Sequence, residues 1–206
     1  MKLQFAMDKS DLEKNFRVVE EIKDLIDMVE LGGLGLYTGL GGIKMVREKF
    51  PGLTLVWDQK CCSTFSNNQA IDHQPDFISI ARMDDDTAKK TVDYAHSKGV
   101  KVVGDVQMLA MNGFEIMKYL KAGCDEISLF AVLSHDDRYP LPTKIAQIFR
   151  EKYGFKFSVW GKLTRDNMIP VLECKPDILV IGTAIYDAPN PREETLKIKE
   201  LMAKYS

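Results

Sequence analysis

Asp58-Gln59-Lys60 follows the apolar run Thr54-Leu55-Val56-Trp57, setting an acid and a base two residues apart where a buried strand is expected to end. Strand alternation sends both side chains to one side, so in a barrel strand carboxylate and ammonium meet at the rim. A surface ion pair would look the same in this stretch alone. The pattern recurs, however. Asp8, Glu30 and Asp105 also close short β-rich runs, which brings four carboxylates and Lys60 toward one rim. One such acid reads as a helix cap, as Asp8 alone would. Four crowded acids need a cation, which Lys60 supplies in part and a divalent metal completes. Glu30 and Asp58, on neighbouring strands, are the natural oxygen ligands for a hard ion such as Mg²⁺.

The second half of the chain carries different chemistry. Trp160-Gly161-Lys162 and Ile181-Gly182-Thr183-Ala184 place glycines after the last two β-rich runs, where backbone must approach a ligand closely. Loops in those positions build phosphate sites from amides and a helix start, so Gly161, Lys162, Gly182 and Thr183 are expected to bind phosphate. Of the three histidines, His73 and His96 fall in or beside helical runs, and His135, after the sixth strand, is the candidate catalytic imidazole.

These residues must be held by something regular. β-rich runs at 3–7, 26–30, 54–57, 77–80, 101–105, 126–130, 156–160 and 178–181 alternate with amphipathic ones. Ser10 is expected to cap the first helix, which carries Leu12, Phe16, Val19 and Ile22, and a second helix runs from about Gly39 to Phe50. Others are expected at 66–72, 85–97, 113–122, 143–153, 164–172 and 191–204. Eight strand-helix repeats without a linker predict one (β/α)8 TIM barrel domain spanning 1–206. A flavodoxin-like or Rossmann sheet would leave strands over, and no G-x-G-x-x-G follows the first strand.

With 206 residues, 45% of them hydrophobic and 28% charged, the chain reads as one soluble globular domain. Its net charge of −2 and dispersed bases give no footprint for nucleic acid. No leader pattern or long apolar run is present, so a cytoplasmic protein without a membrane partner is expected. Cys61, Cys62, Cys124 and Cys174 lack zinc spacing, and the vicinal pair is poorly shaped for a disulfide, so all four are expected to be reduced thiols.

The strand ends together resemble the orotidine-phosphate-decarboxylase-like suprafamily, and within it the hexulose-6-phosphate synthases and 3-keto-L-gulonate-6-phosphate decarboxylases. Met1-Lys2-Leu3-Gln4-Phe5-Ala6-Met7-Asp8 is similar to the first strand and its acid, Val29-Glu30-Leu31-Gly32 to the V-E-V-G of strand two, and Asp58-Gln59-Lys60 to the opening of D-x-K-x-x-D. Residues 176–185 with Ala188-Pro189-Asn190-Pro191 are similar to the last strand, phosphate loop and closing helix. The resemblance implies a TIM barrel that uses Mg²⁺ and an enediolate, with Glu30 and Asp58 on the metal and Lys60 as acid or electrostatic stabiliser. It also implies a homodimer with the sites at its interface, where Cys61, Cys62 and Phe65 would supply apolar surface.

The chain departs from that pattern at Ser63, where the motif's last Asp is expected, and at Phe130, which ends strand six where the family has a histidine. The reading that follows is a carbon-carbon lyase, an aldolase or a decarboxylase, acting on a phosphorylated sugar. Asp58, Lys60 and Asp105 would be catalytic, and Asp8 would bind substrate alongside the phosphate loops. Ser63 and Phe130 motivate the alternative of a non-catalytic or repurposed sugar-phosphate-binding barrel.

Overall fold

Each strand carries apolar residues on both faces, as a parallel sheet covered by helices requires. In the computed structural model, β1 (Lys2–Met7), β2 (Met28–Leu31), β3 (Thr54–Cys61), β4 (Phe77–Ile80), β5 (Lys101–Val106), β6 (Glu126–Phe130), β7 (Lys156–Trp160) and β8 (Ile178–Ile181) are all parallel and close into a barrel in chain order. Closure is made by β1 on β8, from Lys2 opposite Ile178 to Phe5 opposite Ile181. The structure describes residues 1–61, 63–106, 113–130 and 142–205, with the side chains of all of these except 60, 61 and 142–145.

The outer ring comprises α1 (Leu12–Ile22), α2 (Gly33–Thr38), α3 (Gly41–Lys49), α4 (Thr64–Asp72), α5 (Asp85–Ser97), α6 (Phe114–Ala122), α7 (Pro142–Tyr153), α8 (Ile169–Leu172), α9 (Thr183–Tyr186) and α10 (Pro191–Ala203). Leu3, Phe5, Val29, Leu31, Leu55, Phe157 and Leu179 point outward into the main core, under helical residues such as Val19, Ile43, Val92 and Ile198. The alternate residues Ala6, Met28, Val56, Ile178 and Val180 form a second, small cluster on the axis. Polar groups share the axis with them: Gln4, Glu30, Ser79, Glu126, Ser128 and Ser158 are all buried there. Most barrels fill this space with branched aliphatics.

At the bottom of the barrel one device recurs four times. Asp27, Asp76, Asp125 and Asp177 each stand just before an even-numbered strand and accept a backbone N–H from the strand before it. The donors are Leu3, Leu55, Val102 and Phe157, at 2.9, 2.7, 2.8 and 3.0 Å. Each aspartate also returns its own N–H to the carbonyl of that same residue. These pairs tie the strands in register at their entry ends.

The structure departs from the sequence expectations locally: β2 begins and ends later than the expected 26–30, and the short α9 is additional. Asp11, not Ser10, caps α1, its carboxylate accepting from Lys14 N at 2.9 Å, and a charge there also suits the helix dipole. β3 does not stop at Trp57 but runs to Cys61. Between Trp57 and Cys61 it advances four residues while β4 advances two, a bulge that contains Asp58, Gln59 and Lys60. The region 164–172 forms one short helix, α8, because Asn167 accepts from Thr164 N and donates to Lys162 O, offering the backbone a turn instead. Finally, α2 is an additional glycine-rich helix preceding α3.

Candidate active site

Asp8, Glu30 and Asp58 come from three adjacent strands and line one cavity of about 680 Å³ at the C-terminal mouth of the barrel. Two close approaches set this wall. Gly33 N donates to Asp8 Oδ1 at 3.0 Å, and a Cβ on Gly33 would stand 2.3 Å from the Asp8 carbonyl oxygen. A Cβ on Gly32 would stand 2.2 Å from Asp8 Oδ1 and 3.0 Å from Glu30 Oε1. Glycine at both positions lets the two carboxylates converge beside the β2–α2 turn. Gln59, in the bulge, holds that turn from the other side, donating to the carbonyls of Gly32 (2.6 Å) and Leu31 (3.1 Å).

The rest of the rim comes from β6 and β7, across the barrel from β2 and β3, and from β8, where a Cβ on Gly182 would stand 3.1 Å from Asp8 Oδ2. Phe130, Trp160, Gly161, Lys162, Gly182 and Thr183 border the same cavity. Phe130 and Trp160 meet edge to face at 4.6 Å. Gly161 has φ of +115°, and a Cβ there would lie 2.6 Å from the Phe130 ring, so both conformation and space require glycine. Lys162 also adopts positive φ, with its carbonyl accepting from Asn167.

Asp105 stands back from the cavity. It is 2% exposed, and its carboxylate accepts from Trp160 Nε1 at 3.1 Å. The structure thus brings Asp8, Glu30, Asp58, Gly161, Lys162, Gly182 and Thr183 onto one cavity, with Asp105 behind its aromatic wall. The Lys60 side chain lies outside the described part of the structure, although its backbone is in β3, and His135 and Cys62 also lie outside the described residues. His73 Nδ1 pairs with the Gln69 carbonyl at the end of α4, and His96 pairs with Asp125, both away from the mouth. Cys124 and Cys174 are free thiols, and burial pushes the Cys124 thiol up to about 12, which keeps it protonated.

Sequence reading missed Gln4, Gln59 and Trp160. Only their side-chain contacts identify them, although the Gln inside the D-x-K stretch and the Gln two residues ahead of Ala6 were visible as polar residues in β-rich runs.

The donor set at this wall suits a hard cation, since Asp8, Glu30 and Asp58 offer carboxylate oxygens. Among the described residues, no group of three or more His, Cys, Asp or Glu forms a metal cage. Mg²⁺ does not require one, because it is usually held by one or two carboxylates and completes its shell with water and substrate oxygens.

Known proteins align with this chain over nearly its whole length. The 3-hexulose-6-phosphate synthase of Bacillus subtilis (strain 168) is 26% identical over 215 residues, covering 99% of this chain and all of that protein. In sequence, this chain is similar to the 3-hexulose-6-phosphate synthases. Its fold is also that of the crystal structure of orotidine 5'-phosphate decarboxylase from Pyrococcus horikoshii OT3, which superposes with a TM-score of 0.75 over 98% of this chain and 99% of that one at 16% identity. The crystal structure of 3-hexulose-6-phosphate synthase from Salmonella typhimurium superposes with a TM-score of 0.84 over the full length of both chains at 22% identity. KGPDC from Streptococcus mutans superposes with a TM-score of 0.85, covering 99% of this chain and 98% of that one at 18% identity. No family model matches the chain. Among the described residues, no helix is long and apolar enough to cross a membrane.

Proposed function

We propose that this protein is a cytoplasmic, Mg²⁺-dependent carbon-carbon lyase that acts on a phosphorylated sugar through an enediolate, by aldol chemistry or decarboxylation. The observation that carries the reading is one cavity that gathers both sets: Glu30 and Asp58 after β2 and β3, Gly161-Lys162 across the barrel after β7, and Asp8 beside Gly182-Thr183 where β1 adjoins β8. A ligand that presents hydroxyl and carbonyl oxygens at one end and phosphate at the other would bridge them.

Glu30 and Asp58 would hold the metal, which when bound supplies positive charge against the oxygens of the developing enediolate. Asp8 would accept a hydrogen bond from a substrate hydroxyl, with its position fixed by Gly33 N. Asp105, oriented by Trp160, would move a proton or hold a second hydroxyl. Lys60 would stabilise enediolate charge as a second cation. Lys162 and the first-turn amides at Gly182-Thr183 would take the phosphate. The test is turnover of ribulose 5-phosphate with formaldehyde and of 3-keto-L-gulonate 6-phosphate, each with and without Mg²⁺. Turnover of either that needs Mg²⁺ is expected, and its absence with both refutes the lyase.

Phe130 favours a second reading. Where the resembling enzymes have a histidine, an aromatic ring packs on Gly161 and Trp160, so a sugar-phosphate-binding barrel without catalysis fits as well. Thermal shifts that grow with sugar-phosphate concentration, without consumption of the ligand, would establish that alternative.

Self-association into a homodimer completes the proposal. Leu36, at the cavity edge, and its neighbour Tyr37 are 76% and 71% exposed on α2, and Phe65 on α4 is 71% exposed. Apolar surface of this kind at a site entrance suits a partner copy. Light scattering that gives a monomer mass would refute it.

A further inference from the structure

Beneath the mouth, the barrel axis narrows to a hole of about 20 Å³, enough for one water, lined by Gln4, Glu30, Asp58, Ser79, Glu126 and Ser128 among others. Gln4 is a member of this polar floor that reaches the acid wall. It is buried, at 5% exposure, and its Nε2 donates to Glu30 Oε2 at 2.5 Å. Glu30 is itself only 7% exposed.

The two oxygens of Glu30 therefore have different surroundings. Oε2 is tied downward to the floor by an amide donor, and Oε1 lies beside the Gly32 turn, where Asp8 Oδ1 also converges. β1 and β2 fix this geometry through their register, Ala6 opposite Glu30 and Gln4 opposite Met28, so Gln4 sits one step lower on the axial face and its longer side chain reaches up to the carboxylate. A carboxylate only accepts, so the amide nitrogen must be the group that faces it.

We propose that Gln4 is a positioning residue that turns one oxygen of Glu30 toward the mouth for a divalent cation by fixing the other. The inference rests on the metal reading of Glu30 and Asp58 given above. Groups that orient a ligand from behind typically change metal affinity 10- to 100-fold when removed. Packing on the axis contributes separately, so the informative substitution keeps the volume and unbranched shape and removes only the donor.

The experiment is Mn²⁺ binding, followed by electron paramagnetic resonance of the free ion, for the full-length wild type and Gln4→Met. Melting temperatures serve as a control for folding. Gln4→Met is expected to melt within a few degrees of the wild type and to bind Mn²⁺ about tenfold or more weakly. Gln4→Asn keeps an amide too short to reach, and it is expected to weaken binding as Met does, which separates the donated bond from general polarity. Wild-type binding left unchanged by both substitutions overturns the role of Gln4 alone. A wild type that binds no Mn²⁺ overturns the metal reading together with it.

Discussion

Acids stand at both ends of this barrel, and they do opposite work. At the entry ends, Asp27, Asp76, Asp125 and Asp177 each accept a backbone N–H from a neighbouring strand, and the last three of them also face a base: Arg47 at 2.9 Å, His96 at 2.9 Å and Arg150 at 3.5 Å respectively. At the exit ends, Asp8, Glu30 and Asp58 are gathered around a cavity, and glycines let Asp8 and Glu30 approach each other. The lower acids therefore satisfy the chain, whereas the upper ones concentrate charge where a ligand can enter. Residue type alone does not separate the two groups. What separates them is whether the carboxylate closes a bond of the sheet or lines a cavity.

The largest effect should come from breaking the upper set. Glu30→Gln keeps the shape and removes the charge. It is expected to lower turnover by on the order of 10²–10³-fold, as losing one preorganised electrostatic group does, and to abolish Mn²⁺ binding. Stability should hold or rise, because crowded acids repel. A variant that loses stability instead would class Glu30 with the lower acids.

Glu126 tests the boundary between the two sets, since it begins β6 at the bottom yet faces the axis below Glu30. Burial pushes its carboxyl up to about 7. Ser158, Lys156 and Lys2 pull the other way, and Asp177 adds to the rise. The folded state therefore holds this proton where the unfolded chain, near 4.5, has lost it. Stability falls as pH rises from about 4.5 to about 7, by on the order of 3 kcal/mol, and levels off above. Glu126→Gln removes that loss, so urea melts should show the variant gaining on the wild type across this window. Parallel pH curves would mean that Glu126 does not titrate there.

For the lower set, Asp177→Ala leaves Phe157 N without its side-chain acceptor and Arg150 without its carboxylate. The expected cost is about 1–3 kcal/mol of stability, read by denaturant melts, with turnover at saturating substrate unchanged. A loss of turnover without a loss of stability would erase the contrast between the two ends.

The strands, their order and the location of the mouth were legible in the sequence, because alternation of β-rich and amphipathic runs carries the fold and strand ends carry the acids. Residues 77–80, 126–130, 156–160 and 178–181 match the observed strands. Less legible was whatever depends on side-chain partners. Asp76, Asp125 and Asp177 stand just before expected strands and Asp27 inside one, but the bracing role of all four appears only when the neighbouring strand is alongside. The bulge at 57–61 was hidden because a β-rich run looks the same whether its partner keeps pace or not. The α2 helix was hidden because Gly33 and Gly35 precede the helix expected from about Gly39, whereas here the first of them lets the chain pass close over Asp8.

The bases extend the same contrast at smaller magnitude. Arg150 at the bottom donates to the carbonyls of Lys175 and Cys174 and faces Asp177, so its partners belong to the fold. Lys162 at the top is exposed beside the cavity, on a loop whose shape is set by Gly161 and Asn167 rather than by its own side chain. Lys162→Ala should therefore leave the melting temperature unchanged and weaken a sugar phosphate about tenfold, the worth of one charge-assisted hydrogen bond. Because the ammonium is exposed, that factor should shrink as salt rises from about 0.05 to about 0.5 M, where the screening length falls to a few ångströms. Mn²⁺ binding should not change, since the acids that would hold it lie on the opposite wall. Ligand titrations of the two proteins at both salt concentrations make the measurement. A salt-independent loss, or a loss of Mn²⁺ affinity, would mean that Lys162 holds the site together rather than meeting the phosphate, and the top of the barrel would then be braced as the bottom is.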